Sequence, residues 1–462
     1  MTTAAVIGAG PNGLAAAITV AAAGVETTLF ERNEKVGGAC ATAAVTLPGF
    51  KHDLGASVFP MGLVSPFITS LGLELPWIQP DAACAHPLDD GTAVMLERRV
   101  AATADGLDRV DRERYMRTFG YLAEEFAELA GEILGPVLHV PRHPWLMARF
   151  GVGAILSASV EASRYEGPRA KGLFAGMAAH SVLSLEAPAS AAVGLVLTAA
   201  GHGVGWPILR GGAQTLSDAL VGHLEAIGGR IETGVDVTRL DSGTDVTLAD
   251  VTPRQLLRIA GGALPAGYRR RLEGFNYGAG AFKVDYALSE PIPWRAKECR
   301  RAATVHVAGS FEEVVASERT FTTDKPFVLV VQPSLFDETR APEGKHTAWA
   351  YCHVPNGSSV DRLGDIERQI ERFAPGFSEC VLARSVMGPA QLEVWDSNLV
   401  GGDIAGGGMG LQQMLFRPTR SLYRTPVKGL YMCGASTPPG GGVHGMAGFH
   451  AGRTALRDFG LR

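Results

Sequence analysis

The feature that most constrains the fold is a glycine-rich turn near the N-terminus, in the stretch AAVIGAGPNGLAAAITVAAAGVETTLFER. Residues 4–8 read as a short apolar strand, residues 14–23 as an alanine-rich helix and residues 25–30 as a second strand. The glycines of the first turn match the spacing G-x-G-x-x-G. The segment is therefore predicted to form the β-α-β unit of a dinucleotide-binding fold.

Each glycine of this turn has its own physical role. Gly8 permits the tight turn, Gly10 lets the backbone approach a pyrophosphate, and Gly13 lets the helix pack against the strand. The phosphate would rest on the N-terminus of the helix. Glu31, at the end of the second strand, is a candidate for hydrogen bonding to the ribose hydroxyls. Arg32 follows it directly, so a phosphorylated ribose stays open as an alternative.

Two later stretches, VGGACAT and PGFKHDLGASVFP, also carry small residues. In the first, Gly37 and Gly38 form either a further cofactor contact or an ordinary loop. In the second, Gly55, Ala56 and Ser57 have small side chains that would let a flat ring approach the backbone, although an ordinary turn explains them equally well.

Composition narrows the class of protein. A chain of 462 residues is expected to form two domains, which can be interleaved in sequence. The net charge of -5, without a long basic run, argues against a nucleic-acid partner. The six cysteines are scattered without CxxC spacing, which predicts reduced thiols in a cytosolic compartment and neither a disulfide framework nor a metal site. The start of the chain lacks the charged region and cleavage site of a signal peptide.

The rest of the chain divides by pattern. From about Asp108 to His202 the apolar spacing is helical and predicts a lid or substrate domain; its most apolar stretch, residues 187–208, predicts a buried or membrane-touching helix. After Gly229 the pattern predicts a short β-hairpin, followed by a strand, a turn and a helix with Asp250 or Thr252 as N-cap. Residues 280–351 alternate as in a mixed or antiparallel sheet, and the C-terminus reads as strand, glycine-rich turn and helix.

These stretches, together with GGAQTLSDAL, GGRIETGVDV and GLYMCGASTPPGGGVHGMAGFHAGR, resemble the phytoene-desaturase-like branch of the FAD-dependent oxidoreductases, over nearly the whole chain. This branch lies in the glutathione-reductase and amine-oxidase superfamily and includes proteins labelled pyridine nucleotide-disulfide oxidoreductase domain proteins. The resemblance implies an α/β fold, in which a Rossmann-like FAD-binding domain is interleaved with an α+β substrate domain made of a mixed sheet and a helical lid. We expect the FAD-binding domain at 1–82, 205–262 and 400–462, and the substrate domain at 83–204 and 263–399.

The resemblance also implies how FAD is held. Residues Gly8, Gly10, Pro11, Asn12 and Gly13 would hold the pyrophosphate, with Glu31 and Arg32 at the adenosine ribose. Gly37, Gly38 and Ala39 would line the diphosphate and ribityl chain, and Gly55, Ala56 and Ser57 would lie near the isoalloxazine. Val235, in a short strand after Gly229, would meet the adenine with its backbone. Gly434 and Ala435 would lie at the ribityl chain, and Gly442, Val443 and His444 at the pyrimidine edge of the flavin.

Two departures from the family pattern qualify this picture. Ala435 stands where many relatives have an acid, so its contact with the ribityl chain would be made mostly by the backbone. Only a few residues, 241–244, stand where many relatives place a β-meander. The FAD-binding domain is therefore expected to be trimmed on its adenine side.

The residues limit the chemistry. Cys40 has no cysteine partner nearby, since position 45 is Val45, so disulfide reduction is disfavoured. No second complete G-x-G-x-x-G stands between a strand and a helix to hold NAD(P)H, so electrons would leave to oxygen, a quinone or another carrier. His444 is the candidate catalytic residue. For His180 and His202 a proton relay and a satisfied core position are both open, as are cavity lining and core packing for Trp395.

The predicted activity is FAD-dependent dehydrogenation or desaturation of a hydrophobic, isoprenoid- or lipid-like small molecule by hydride transfer to the flavin. A flavin amine oxidase, a redox-neutral isomerase and an FAD-carrying interaction protein with little turnover stay as alternatives. A homo-oligomer and peripheral contact with a membrane are also left open, within a cytoplasmic location.

Overall fold

In a computed structural model, residues 2–241 and 243–461 are described. The strands, in chain order, are β1 (Thr3–Ile7), β2 (Glu26–Phe30), β3 (Thr42–Ala43), β4 (His52–Asp53), β5 (Trp77–Ile78), β6 (Ala82–Pro87), β7 (Ala93–Glu97), β8 (Ile208–Leu209), β9 (Arg230–Glu232), β10 (Val246–Ala249), β11 (Gly280–Leu288), β12 (Ala302–Val307), β13 (Val328–Val331), β14 (His346–Val354), β15 (Val381–Met387) and β16 (Leu430–Met432).

The helices are α1 (Pro11–Ala21), α2 (Pro60–Leu63), α3 (Pro66–Ser70), α4 (Val100–Asp105), α5 (Arg112–Glu124), α6 (Phe126–Ile133), α7 (Pro144–Ala154), α8 (Ala158–Ala162), α9 (Pro168–Ala179), α10 (Ala191–Gly203), α11 (Gln214–Ala226), α12 (Pro253–Ala260), α13 (Ala266–Glu273), α14 (Phe311–Thr320), α15 (Leu363–Phe373), α16 (Phe377–Cys380), α17 (Pro389–Trp395), α18 (Leu411–Phe416) and α19 (Met446–Asp458).

A five-stranded parallel sheet carries the predicted β-α-β unit. Its strand order is β16-β10-β1-β2-β9, so β1 lies between β2 and β10. Helix α1 packs against α19 and α11, and the contact with α19 is very close, because a Cβ at Gly448 would lie 1.8 Å from the carbonyl oxygen of Asn12. The carboxyl ends of β1 and β10 thus meet beside the glycine turn, which is where open α/β sheets bind ligands.

A second, seven-stranded sheet is mixed, as residues 280–351 predict. Its order is β15-β11-β14-β13-β12-β6-β7, antiparallel except for the parallel pair of β6 and β12. One face packs on α15 through Ile366, Ile370 and Phe373. The other face looks toward the helices between residues 100 and 203, the helical region that the sequence predicts. The fold class is therefore confirmed as α/β with a Rossmann-like domain, while the domain bounds stay a prediction.

Several local predictions are corrected. Helix α1 begins at Pro11 rather than at residue 14, because Gly10 is its N-cap and proline is favoured in the first turn. The hairpin predicted after Gly229 is wrong: β9 pairs in parallel with β2 at the edge of the sheet, and β10 is the next strand among the described residues. Of the two N-caps that the sequence predicts for α12, Thr252 is the one that the structure shows. In the short connection 241–244, Ser242 lies outside the described residues.

The apolar stretch 187–208 forms the buried helix α10. It packs against α9, α5 and α7 rather than on an outer surface. No helix among the described residues is both long and apolar enough to span a bilayer.

Candidate active site

The turn between β1 and α1 forms a narrow cradle. Gly8 has a φ of +96°, and a Cβ there would lie 2.8 Å from the carbonyl oxygen of Asp250. A Cβ at Gly13 would lie 1.8 Å from the carbonyl oxygen of Gly8, so this glycine permits the helix to pack on the strand. Gly10 has an ordinary φ of -72° and borders the cavity, and a Cβ at Gly38 would lie 3.1 Å from its Cα. The backbones of Gly10 and Gly38 therefore lie close together, and neither carries a side chain that would keep a ligand away from the backbone.

Glu31 is fixed at the rim of this cradle. Its Oε2 accepts a hydrogen bond from the backbone N–H of Ala9 at 2.8 Å, and its Oε1 accepts one from Asn33 at 2.9 Å. Arg32, beside it, donates to the carbonyl oxygens of Val394 and Trp395 at 3.2 and 3.3 Å. The carboxylate thus borders the cavity in a fixed orientation, as a ribose contact at the end of β2 requires.

Two further acids, Asp250 and Asp396, border the cradle, and neither was predicted from the sequence as a site residue. Asp250 Oδ2 accepts a hydrogen bond from Gly13 N at 2.8 Å, and burial, with Asp396 and Glu31 nearby, raises the pKa of this carboxyl to about 8. Burial also raises the pKa of Asp396. With a pKa of about 8, the carboxyl of Asp250 is mostly neutral at pH 7, which reduces its repulsion of a bound phosphate. The place of Asp250 directly after β10 was the available signal.

The opposite end of the cavity is built from the later predicted stretches. Ala56 N donates to the carbonyl oxygen of Ala39 at 2.9 Å, and a Cβ at Gly55 would lie 2.3 Å from the same oxygen. The carbonyl oxygen of Ala435 accepts a hydrogen bond from buried Arg417 at 2.8 Å. This bond fixes the backbone at position 435, where many relatives have an acidic residue instead of alanine. Val443 has a left-handed φ of 52°, a strained conformation typical of functional sites.

The predicted binding residues converge on one cavity of about 920 Å³, with three exceptions. Gly13, Gly37 and Gly434 do not border it and act in packing: a Cβ at Gly37 would lie 2.8 Å from the carbonyl oxygen of Cys40, and one at Gly434 would lie 2.8 Å from Asp250 Oδ1. Val235 borders the cavity but lies beyond the end of β9, not in a strand. Its N–H donates to the carbonyl oxygen of Glu31 at 2.8 Å, so a backbone contact with adenine would fall to its carbonyl oxygen.

We call the part of the cavity bordered by Gly55, Ala56, Ser57 and Val443 the flavin end, because the flavin is expected there. Beyond it, the cavity continues as a chamber between the mixed sheet and the helices of the substrate region. Cross-strand pairing places Lys283, Tyr351 and Leu329 side by side on the sheet face of the chamber. The opposite wall is apolar and is supplied by α6, α7 and α10, with Ile133, Met147, Phe150, Val193, Val196 and Leu197. A largely apolar chamber with a few polar groups is typical of sites for small organic molecules.

A buried ion network supports the floor of the chamber. Lys283 Nζ contacts Asp285, and Arg340 contacts Asp53 at 2.6 Å, with all four side chains buried. Burial alone would raise the pKa of Asp53, but Arg340 and hydrogen bonds from Ser57 and Ala213 outweigh it and lower that pKa. Lys283 and Asp285 were missed, although two charged residues at alternate positions of an apolar strand were visible in AFKVDYALS.

Ser57 joins this network to the chamber wall. Its hydroxyl donates to Asp53 and accepts from Trp349 Nε1 at 2.8 Å. Both Ser57 and Trp349 border the cavity. The network therefore fixes the orientation of two side chains at the flavin end.

The candidate histidines have different surroundings. His202 bonds to the Tyr115 hydroxyl at 2.8 Å and to the Glu97 carbonyl oxygen, so it is a satisfied core residue away from the cavity. His180 borders the chamber, and its Nε2 lies 2.9 Å from Nε2 of buried His306. Burial lowers the pKa of His180 to about 3 and that of His444 to about 4, so both imidazoles are neutral at pH 7.

His444 and Trp395 border the cavity, and the cysteines do not. The Nδ1 of His444 accepts a hydrogen bond from Met446 N at 3.1 Å. Trp395 lies at the nucleotide side, next to Asp396. Cys40 is buried with a pKa raised to about 12 by burial, and its thiol is free, as are the other five. This geometry provides no redox disulfide among the described residues.

The fold and site together define the class of protein. The side-chain-free cradle, the fixed carboxylate at the ribose position and the second glycine turn fit FAD, and the chain is an FAD-dependent oxidoreductase with a Rossmann-like domain. Residues 6–68 match the family of NAD(P)-binding Rossmann-like domains.

Within that class, the chain is similar to proteins along nearly its whole length. Pyridine nucleotide-disulfide oxidoreductase domain-containing protein 2 of Mus musculus is 27% identical, over 98% of this chain and 93% of that protein. The zeta-carotene-forming phytoene desaturase of Myxococcus xanthus is 26% identical, over 95% and 90%. The structure of putrescine oxidase bound to putrescine covers 99% of both chains with a TM-score of 0.62, and its 16% identity supports the shared fold alone.

Proposed function

We propose that this protein dehydrogenates an uncharged apolar small molecule, with FAD as the hydride acceptor. The observation that carries the proposal is the continuity of one cavity, which has the cofactor cradle at one end and an aliphatic chamber at the other. A substrate in that chamber would lie against the flavin end without crossing bulk water. The similarity to a phytoene desaturase supports a hydrocarbon-like substrate.

The residues of the chamber would bind, orient and exclude water. The aliphatic wall would bind the substrate through burial of apolar surface, about 25 cal/mol per Å². Bound FAD supplies the acceptor for the hydride. The neutral imidazole of His180 is available to accept a hydrogen bond or a proton from the substrate, with His306 able to exchange a proton at Nε2. Its low pKa suits a reaction in which the hydride leaves first, because the resulting cation is a strong acid.

The charges around the cavity argue against an ammonium substrate. Among the described residues, the acids that border the cavity are Glu31, Asp236, Asp250 and Asp396 at the nucleotide end and Glu132 at the lid. Glu132 is already bound by His139 at 2.7 Å and His143 at 3.0 Å. No free carboxylate in the described part of the chamber is therefore left to pair with an amine.

The test is anaerobic reduction of the bound flavin by a panel of terpenes, longer isoprenoids, alkyl alcohols and amines. We expect bleaching by an apolar class, and we expect Val196→Trp, which fills the chamber, to retain FAD but lose that bleaching. Val360→Trp, at an exposed position, serves as the matched control. Bleaching by amines, with peroxide release once oxygen is admitted, would instead establish an amine oxidase. Product formed without net electron transfer would establish an isomerase, and no reaction with any class would establish an interaction protein.

A further inference from the structure

The chamber has two unlike walls, because its helical wall is aliphatic whereas its sheet wall carries polar side chains. Cross-strand pairing places Tyr351, Leu329 and His306 in one row across β14, β13 and β12. His180 borders the chamber next to this row, with its Nε2 2.9 Å from Nε2 of His306. Two strand spacings, about 10 Å, separate Tyr351 from His306. The hydroxyl of Tyr351 and the imidazole of His180 therefore belong to the same part of the sheet wall.

Several polar groups of this wall are already paired. Lys283 contacts Asp285, so the two opposite charges balance and the pair does not require an anion from the substrate. The indole of Trp349 donates to Ser57 at 2.8 Å, and the indole of Trp206 donates to a backbone carbonyl oxygen at 3.2 Å. These groups are satisfied without a ligand.

Tyr351 and His180 differ from these paired groups. The Tyr351 hydroxyl makes no hydrogen bond to a described residue, and burial, with Glu318 nearby, raises its pKa, so the phenol stays neutral. His180 uses Nε2 on His306, which leaves Nδ1 as the ring nitrogen available to the chamber. Thr304, two residues before His306 on β12, also borders the cavity and has a buried hydroxyl without a partner in the described part of the chain. A pure hydrocarbon would take water from this wall and return no hydrogen bond.

We propose that the substrate carries a hydroxyl group on an apolar skeleton, and that Tyr351 and His180 bind this group. The inference rests on the proposed function, since it takes the chamber as the substrate site. A hydroxyl group both donates and accepts, so it satisfies a phenol and an imidazole in either tautomer of His180. A carbonyl oxygen only accepts and can pair with His180 in one tautomer alone. The two neutral side chains give an ionised group no opposite charge.

The test measures binding without hydride transfer. The flavin of the FAD-loaded protein is reduced beforehand with dithionite under anaerobic conditions, so that the ligand is not consumed. Four compounds with the same number of carbon atoms are then compared by equilibrium dialysis: octane, 2-octanol, 2-octanone and octanoate. Octane reports the apolar contribution alone. We expect 2-octanol to bind more tightly than 2-octanone and octanoate.

Two variants remove the proposed partners of the hydroxyl group. Tyr351→Phe deletes only the phenol oxygen, and His180→Gln keeps an amide for His306 but has nothing in place of Nδ1. Each should weaken the binding of 2-octanol about five- to tenfold and leave that of octane unchanged. Tyr286→Phe is the matched control, because that buried hydroxyl also lacks a partner but lies on the opposite face of the sheet, away from the chamber. Flavin absorbance and the melting temperature report whether each variant is folded.

Four outcomes would each overturn the proposal: equal losses for octane and 2-octanol, unchanged binding of 2-octanol in both variants, tighter binding of 2-octanone or octanoate, or no binding of 2-octanol. Bleaching of the oxidised flavin tests the proposed function separately. Bleaching by hydrocarbons without the losses in 2-octanol binding would retain that function and reject the hydroxyl site. Losses in 2-octanol binding without bleaching by any compound would do the reverse.

Discussion

The carboxyl group of Asp250 is expected to make FAD binding depend on pH. It is buried beside the glycine turn, and burial, with Asp396 and Glu31 nearby, raises its pKa from 3.8 to about 8. At neutral pH the group is therefore mostly neutral, so a pyrophosphate in the cradle meets little charge from it. As the pH rises through about 8, the carboxyl ionises and would repel the pyrophosphate.

The magnitude follows from the linkage between proton and cofactor. If FAD binds only the protonated form, the Kd increases by a factor of one plus the ratio of ionised to protonated Asp250, about twofold at a pH equal to the pKa and about elevenfold one unit above. The complex keeps a proton that the free protein releases. The affinity is thus nearly full a unit or more below pH 8 and falls progressively as the pH rises through and above 8.

The assay is titration of the apoprotein with FAD, followed by flavin fluorescence, between pH 7 and pH 9. Asp250→Asn keeps the size of the side chain and its acceptor for Gly13 but cannot ionise, so its Kd should stay flat over this range. Asp324→Asn, at an exposed position, should keep the slope of the unchanged protein. A flat Kd in the unchanged protein, or an equal slope in Asp250→Asn, would show that ionisation of Asp250 does not control FAD binding.

Three further changes test other parts of the structure. Gly10→Val should give a folded, colourless protein, since its φ of -72° suits valine while the side chain fills the cradle; full flavin absorbance would contradict the assigned role. Asp53→Asn removes the nearer of two buried carboxylates at Arg340 and leaves Asp337 at 3.9 Å, so it should lower the free energy of unfolding by up to about 3–5 kcal/mol in a denaturant titration, whereas a loss near zero would show the pair to be dispensable. Glu132→Gln removes the anion that holds His139 and His143, so trypsin should cleave faster after Arg142 at unchanged flavin absorbance; an unchanged rate would count against the contact.

The sequence was most informative where function depends on local backbone geometry. The roles of Gly8 and Gly13 follow from the spacing of the turn, because a tight turn and a close helix-strand contact exclude a Cβ in any such unit. The structure shows both close approaches. The position of Glu31 was predicted in the same way, since the end of the second strand is set by the β-α-β unit, and the structure places this residue at the border of the cavity.

Contacts between distant segments could not be read from the sequence. Asp250 reaches Gly13 across 237 positions, which requires the parallel pairing of β1 and β10. The hairpin prediction failed for a related reason: residues 230–232 satisfy their backbone hydrogen bonds on β2, not on their own neighbours. Hydropathy also could not decide whether α10 is buried or exposed, because it measures how apolar a segment is and not whether other helices cover it; the less apolar segment around Trp145 is the exposed one.

Whether the bound flavin accepts a hydride from an apolar substrate is measured by the absorbance spectrum of the purified protein during anaerobic addition of apolar compounds. We expect a yellow protein whose flavin bands are bleached by one apolar class, with one dehydrogenated product formed per flavin reduced. A colourless protein that cannot be reconstituted with FAD, or a flavin that only amines or NAD(P)H can reduce, would contradict it.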